Sequence, residues 1–203
     1  MSGFLREPTV DQLKLFTTFR FELHKPVPYK GYTNVDEEVY EFFEKRIELP
    51  EGFHAHSAPY TILLAKDAEG SIVSGIVILS ELFEAHFDLV VGFLATAEHM
   101  QGKGIANIML GLGINLFVKR RREIPNYIIG ECNESMVDFY RSLGFSIASP
   151  GEEAPPRFNS EAHQISEDSD FPYLVWREWD EEAKEKVKSF DTLARLVLDD
   201  HSH

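Results

Sequence analysis

The chain has 203 residues, and 43% of them are hydrophobic, which is enough apolar material for one domain with its own core. Its formal net charge of −14 makes nucleic acid and anionic membranes poor partners and favours a cationic substrate, although a negative surface also serves solubility. The single cysteine, Cys132, cannot form an internal disulfide, so a reducing, cytoplasmic compartment is expected. We find neither a signal peptide nor a run of about 18 apolar residues, and we expect a soluble protein.

The first fifty residues predict two helices. Thr9 or Asp11 can cap a first helix that extends to about His24, with apolar residues along one side. Asn34 can cap a second helix, in which apolar residues recur at roughly helical spacing until Pro50 ends it. Aromatic side chains at such spacing mostly belong to a core, so we assign them to the core and keep a substrate groove as the alternative.

The periodicity changes from helical to strand-like at Tyr60. The runs TILLAK and SIVSGIVILS are rich in β-formers and are separated by DAEG, which predicts a hairpin. A third run alternates from Phe87 to Phe93 and leads into the glycine-rich segment HMQGKGIAN. A helix is predicted from about Gly104 to Arg121, and its basic end KRRR complements the negative C-terminal end of the helix dipole.

The remaining sequence predicts a strand, a helix, a long loop, a strand and a final helix. NYIIGEC is the strand, and NESMVDFYRSLGF is the helix, with Asn133 as its cap and Gly144 as its stop. Residues 149–170 are polar and contain prolines, so a long loop is expected there. FPYLVWREW is typical of a strand, and an amphipathic helix is predicted over 180–199, whose apolar side fits either the protein's own core or a homodimer. We predict a single domain over residues 1–203.

The glycine-rich segment connects a strand to a helix, a position that favours the binding of an anion such as phosphate. Glycines let backbone N–H groups approach an anion closely, and the helix N-terminus adds a partial positive charge. The phosphate-binding loop of nucleotide hydrolases does not fit, because Lys103 lies between Gly102 and Gly104 and no Ser or Thr follows. A dinucleotide-binding loop fits poorly, because Asn107 stands where the third glycine belongs.

Two motifs together resemble those of the GNAT N-acetyltransferase superfamily. The run Gln101-Gly102-Lys103-Gly104-Ile105-Ala106 is similar to the first motif, Q/R-x-x-G-x-G/A, in which a strand leads into a helix. Downstream, Asn133, Phe139-Tyr140 and Gly144-Phe145 resemble the second motif, N-x-x-x-x-x-(L/F)-Y-x-x-x-G-F, on a later helix. The resemblance covers about residues 60–178.

This resemblance implies an α/β (α+β) fold, in which a mixed, mostly antiparallel sheet splays apart between its fourth and fifth strands and is flanked by helices. It implies acetyl-CoA as the acyl donor, lying in that split. Main-chain N–H groups from Gln101 to Ala106 would hold the diphosphate, main-chain groups of Leu94 and Thr96 would bind the pantetheine arm, and Asn133 would bind that arm or simply cap its helix. The implied cofactor-binding set is Leu94, Thr96, Gln101, Gly102, Lys103, Gly104, Ile105, Ala106 and Asn133, and no metal is expected.

The implied reaction is direct transfer of an acetyl group to an amine, which needs a base for the ammonium and an acid for the leaving thiolate. Tyr140 matches the family's usual acid, with a core tyrosine as the alternative. The base would be Glu131 at the end of the fifth strand, or a residue on or before the fourth strand, where the candidates are Glu81, Glu84, His86 and Asp88. From these candidates we take Tyr140, Glu84 and Glu131 as the catalytic set. Cys132 lacks the partner pattern of a nucleophile and is predicted to be a small buried residue.

The function expected from the resemblance is N-acetylation of a primary amine on a small molecule, with acetyl-CoA as the donor and a cationic acceptor. Two alternatives stay open: acetylation of a protein lysine or N-terminus, and a regulatory module that binds acyl-CoA without turnover. Nothing in the sequence identifies the acceptor.

Overall fold

The computed structural model describes residues 3–24, 37–46, 60–83, 86–121, 124–152 and 171–199 of the chain. Within these ranges the helices are α1 (Val10–Phe16), α2 (Glu37–Glu44), α3 (Ile105–Arg121), α4 (Glu134–Ser142), α5 (Glu181–Lys188) and α6 (Asp191–Asp199). The strands are β1 (Arg20–His24), β2 (Tyr60–Lys66), β3 (Ile72–Phe83), β4 (His86–Thr96), β5 (Tyr127–Cys132), β6 (Ser146–Ala148) and β7 (Tyr173–Glu178). Across these ranges, no helix combines the length and the hydropathy that a membrane span requires.

The seven strands form one mixed sheet in the order β1-β2-β3-β4-β5-β7-β6. Every neighbouring pair is antiparallel except β4 and β5, which run parallel because α3 connects them as a crossover. The predicted hairpin between β2 and β3 is confirmed: the Asp67 carboxylate accepts the Ser71 N–H at 2.8 Å, and Gly70 has a φ of +88°. The predicted fold class is also confirmed, and the sequence pattern missed two strands, the short β6 and the edge strand β1.

Helices cover both faces of the sheet. On one face lies α3, which is buried through most of its length, and side chains of Ile76 and Ile78 on β3 closely approach Gly113 of this helix. On the other face, α2 packs Phe43 directly over Gly75 of β3. Glycine at these two positions lets each helix approach the sheet closely. The close approach explains why position 113 is a glycine, although glycine in a helix interior costs about 1 kcal/mol relative to alanine.

The first helix is shorter than predicted. It ends at Phe16, and the hydroxyls of Thr17 and Thr18 bond back to main-chain carbonyls three residues earlier. The next residues form β1, which pairs with β2 along the edge of the sheet, so the prediction of a helix to about His24 is wrong. Apolar residues at alternate positions of this strand, such as Phe21, face the core. This spacing of two matches the alternation of side chains in a strand that is paired with β2.

Two helices, rather than one, close the chain. The break between α5 and α6 places the Phe190 ring against Gly111 of α3, where it occupies the space that a Cβ would take. The Asn115 amide of α3 donates to the Val187 carbonyl at 2.8 Å and to the Asp191 carboxylate at 2.7 Å. The apolar side of this C-terminal segment therefore packs on the protein's own core.

Some predictions fall outside the described residues. They are the cap of α2 at Asn34, its end at Pro50, and most of the loop over 149–170.

Candidate active site

The parallel ladder between β4 and β5 is short and opens toward the carboxyl ends of both strands. Its last pair is Val91 and Gly130, although both strands continue beyond this pair. Gly92, the next residue of β4, is the extra residue of a β-bulge, since the register against β3 shifts at this point. A bulge increases the bend and twist of its strand, and the β4–β5 ladder ends next to this bulge. The sheet is therefore splayed between its fourth and fifth strands.

The glycine loop lies between β4 and α3, at the open end of this split. Gly102 and Gly104 have φ of +73° and +77°, and Lys103 between them has a negative φ. Alternating signs of this kind turn successive N–H groups toward one point, which makes an anion-binding concavity. Within the described part of the chain, the N–H groups of residues 102–106 donate to no other group. Nothing lies within 4 Å of the position that a Cβ on Gly102 would take, so the loop is open to solvent there.

Gln101 differs from the rest of the predicted diphosphate set. Its N–H donates to the Glu98 carbonyl at 3.1 Å, and its side-chain amide donates to the Thr96 carbonyl at 3.2 Å. Gln101 therefore braces the 3₁₀ turn Glu98–Met100 against the end of β4, and its N–H is engaged within the protein. The donors available to an anion begin at Gly102.

Main-chain groups of β4 line one wall of the split. In an antiparallel ladder, alternate residues direct their N–H and C=O groups toward the partner strand. The Ala97 N–H donates to the Val73 carbonyl at 2.9 Å on the β3 side, so Leu94 and Thr96 direct theirs away from β3 and toward the split. The Thr96 carbonyl is the acceptor of the Gln101 amide, which leaves the Leu94 groups and the Thr96 N–H facing the split.

Tyr140 lies on α4, beside the end of β5. Its side chain is buried, and its ring packs edge-on against Phe145 with centroids 5.3 Å apart. Burial raises the pKa of Tyr140 well above its usual value, and the nearby Cys132 adds to the shift. Tyr140 is therefore a protonated phenol across the physiological range, which is the state that a general acid needs.

Cys132 is the last residue of β5 and is buried beneath α4, as predicted for a small core residue. Burial raises the pKa of its thiol to about 11. A neutral, buried thiol is a poor nucleophile, which agrees with a packing role.

The carboxylate candidates occupy different positions. Glu131 is exposed at the end of β5 and, because successive side chains of a strand alternate, lies on the opposite face from Cys132. Asp88 lies at the far end of β4 from the split, and its carboxylate accepts the Tyr127 N–H at 3.1 Å, which gives it a structural role. Glu84 lies outside the described residues.

Asn133 occupies the N-cap position of α4, as predicted, but its side chain makes no capping bond. Its Oδ1 atom instead accepts the Ser135 hydroxyl at 2.7 Å, and the side chain is exposed. Within the described residues its NH₂ group donates to nothing, so the group is available to a ligand.

Two residues that brace the glycine loop were missed in the sequence. The Asn107 side chain bonds both main-chain groups of Arg6, donating to its carbonyl at 2.8 Å and accepting its N–H at 3.1 Å. The Gln12 amide donates to the Lys103 carbonyl at 3.3 Å. Thr9 and Gln12 form a capping box at the start of α1, a signal that the sequence carries, but the contact with a residue 91 positions away leaves no local pattern.

A family model described as "Acetyltransferase (GNAT) family" matches residues 21–145. The match spans more than half of the chain, and the chain therefore belongs to the GNAT acetyltransferase family. It begins at β1, earlier than residue 60, where the two motifs led us to expect the resemblance to start, and it ends with the second motif.

Solved structures share the fold at low sequence identity. Tetrahymena GCN5 superposes with a TM-score of 0.51 at 12% identity, covering 80% of this chain and 96% of that chain. An acyl-CoA N-acyltransferase from Pseudomonas aeruginosa superposes with a TM-score of 0.51 at 13% identity, covering 79% of this chain and 99% of that chain. A search of curated proteins found no match. The structural likenesses establish the fold and nothing finer.

Proposed function

We propose that the protein is an N-acetyltransferase that binds acetyl-CoA in the split between β4 and β5 and transfers the acetyl group directly to a primary amine. The observation that carries this proposal is the set of unengaged N–H donors at residues 102–106, at the open end of the β4–β5 ladder. A diphosphate is the part of coenzyme A that matches such a cluster of donors. Membership of an acetyltransferase family supports the same assignment.

The charge around the loop favours an anion. The 17-residue helix α3 directs the positive end of its dipole at the loop, and no acidic residue lies in its first turn. Lys103 is exposed within the loop, with its ammonium 3.3 Å from the Met100 sulfur, and adds a full positive charge. These features give a negative ligand a local attraction that the net charge of the whole protein does not provide.

In the proposed reaction, a base removes a proton from the ammonium, and the amine nitrogen then attacks the thioester carbonyl carbon, forming the C–N bond. A main-chain N–H near Thr96 stabilises the oxyanion of the tetrahedral intermediate. When the intermediate collapses, the C–S bond breaks and the Tyr140 hydroxyl gives its proton to the departing sulfur. The nitrogen loses a second proton, which reaches Tyr140 through solvent and restores its hydroxyl. One proton is therefore released for each amide formed.

We assign the acceptor to the class of cationic small-molecule amines and the base to Glu131 or Glu84. Glu131 is exposed at the end of β5, beyond the last β4–β5 pair, where a carboxylate both attracts an ammonium and can accept its proton. The net charge of −14 also favours a cationic acceptor. The amine of a protein lysine or N-terminus would react in the same way, and the thiol-release assay described next distinguishes such acceptors from small amines.

Isothermal titration with acetyl-CoA is the first test. We expect binding in the micromolar range, and no binding at tens of micromolar by a folded sample would reject the proposal. Release of free thiol from acetyl-CoA, measured across a panel of small amines and lysine peptides, then identifies the acceptor class. Binding without thiol release across both panels would support a regulatory module and reject the enzyme.

A further inference from the structure

The helix α1 holds one side chain against the glycine loop. The Gln12 Oε1 atom accepts the Thr9 N–H at 2.9 Å, and the Gln12 Nε2 atom donates to the Lys103 carbonyl at 3.3 Å. Each end of the Gln12 amide therefore has a main-chain partner, one in its own helix and one in the loop. Gln12 lies before residue 21, where the family match begins, so this contact comes from a segment in front of the matched region.

Other contacts fix α1 in place at both ends. At its C-terminal end, the buried Phe16 ring stacks on Phe21 of β1 with centroids 5.5 Å apart. Before its N-terminal end, Arg6 is held by both polar atoms of the Asn107 side chain, in the first turn of α3. Gln12 is therefore brought to the loop by a rigid support, so its hydrogen bond to Lys103 costs little additional conformational entropy.

The bond to Lys103 constrains the peptide that follows. In a trans peptide, the carbonyl oxygen and the next N–H point to opposite sides, and no cis peptide occurs among the described residues. By holding the Lys103 carbonyl on the side of α1, Gln12 directs the Gly104 N–H to the opposite side. That N–H has no acceptor within the described part of the chain.

The two loop glycines have different surroundings, which agrees with this geometry. A Cβ on Gly104 would overlap the Gln12 amide, whereas a Cβ on Gly102 would meet nothing within 4 Å. The α1 side of the loop is thus filled at Gly104, and the open side is left for an anion.

We propose that Gln12 is a positioning residue for the diphosphate site, which aims the Gly104 N–H at the anion by binding the Lys103 carbonyl. This inference rests on the proposed binding of acetyl-CoA. Loss of one such hydrogen bond corresponds to about a threefold to tenfold rise in the Kd of a ligand that carries the diphosphate. A ligand that lacks the diphosphate is expected to bind the same with or without the Gln12 amide.

Titrations of the full chain test this: calorimetry measures the Kd of CoA, and two-dimensional NMR measures the weaker binding of pantetheine and reports on the fold. The ligands are CoA and pantetheine, which lacks the diphosphate. The variant is Gln12→Leu, which removes the donor and keeps the approximate volume. Its matched control is Lys14→Leu on the same helix, where the side chain is 75% exposed and pairs only with Asp11 among the described residues.

We expect Gln12→Leu to raise the Kd for CoA about threefold to tenfold while the Kd for pantetheine changes less than twofold. An equal rise for both ligands would overturn the inference, since it would indicate general loosening of the fold. An unchanged or tighter Kd for CoA would also overturn it, the latter because Gln12 would then occupy the anion's own position. If the wild-type protein binds no CoA, the proposed function fails and this inference fails with it.

Discussion

Val91 and Gly130 form the last pair of the β4–β5 ladder and leave little room for a side chain between them: a Cβ on Gly130 would lie 3.2 Å from the Val91 carbonyl oxygen. Because this neighbour is backbone, Gly130→Ala requires the Val91 carbonyl to move by a few tenths of an ångström where the split begins. We expect the variant to lose about 1–3 kcal/mol of unfolding free energy and to bind acetyl-CoA more weakly. Urea denaturation and titration calorimetry measure the two effects.

Ile128→Val in the same strand is the control for that variant. Ile128 is fully buried, and its truncation costs about 0.5–1.5 kcal/mol without altering the β4–β5 spacing. Its affinity for acetyl-CoA should match that of the wild type. If Gly130→Ala also binds like the wild type, the geometry of the split does not depend on this pair.

Tyr140→Phe tests the assignment of the general acid. The substitution keeps the ring that packs against Phe145, so the Kd for acetyl-CoA should stay within about twofold, whereas kcat should fall by about 100-fold or more. Because burial raises the pKa of Tyr140, its deprotonation should cause no loss of wild-type activity below about pH 10. Tyr127→Phe, at the far end of β5, is the control, and equal kcat values in the two variants would contradict the assignment.

The Cys132 thiol should make the protein less stable at alkaline pH. Because the native state raises its pKa to about 11, the native state binds the thiol proton more tightly than the unfolded state does. Its contribution is fully present below about pH 8.5 and is lost as the pH rises toward 11, by up to about 1.36 kcal/mol per pH unit. Urea midpoints of wild type and Cys132→Ala, compared between pH 8 and 11 under reducing conditions, isolate this contribution. Parallel curves would show that the thiol is solvated in the native state.

Glu131→Gln tests the base. If Glu131 accepts the ammonium proton, the variant should lose about 100-fold in kcat/KM and lose the acid limb of the pH profile, because an amide cannot accept that proton. Glu134→Gln, which removes an exposed carboxylate from the first turn of α4, is the control. A wild-type profile in Glu131→Gln would exclude Glu131 and transfer the role to Glu84, for which the same substitution is the next test.

The elements that build the split could be predicted because their signals are local. A run of β-formers defines β3, alternation defines β4, and glycines at positions 102 and 104 define the loop. The spacing from Asn133 to Tyr140 defines the second motif. All of these features lie within single segments of the chain. Local signals failed at β1, where the aromatic residues near Phe21 suit a helix and a strand almost equally and pairing with β2 decides between them.

The supports of the site could not be predicted, because each joins distant segments. Gln12 reaches Lys103 across 91 positions, and Arg6 reaches Asn107 across 101 positions. Only the assembled fold brings these side chains together. The same holds for the break in the C-terminal helix, at which Phe190 fits against Gly111 of α3.

That fit gives the last prediction. In an isolated helix, Gly111→Ala should stabilise by about 1 kcal/mol, but here a Cβ would overlap the Phe190 ring, and we expect a loss of about 1–3 kcal/mol. Phe190→Ala alone should cost about 3–5 kcal/mol. In the double variant the ring no longer obstructs the new methyl group, so the loss should fall short of the sum by about 1 kcal/mol or more. Gly113 faces the sheet instead, so the stability losses of Gly113→Ala and Phe190→Ala should be additive. If the losses of Gly111→Ala and Phe190→Ala are also additive, Phe190 does not occupy the position next to Gly111.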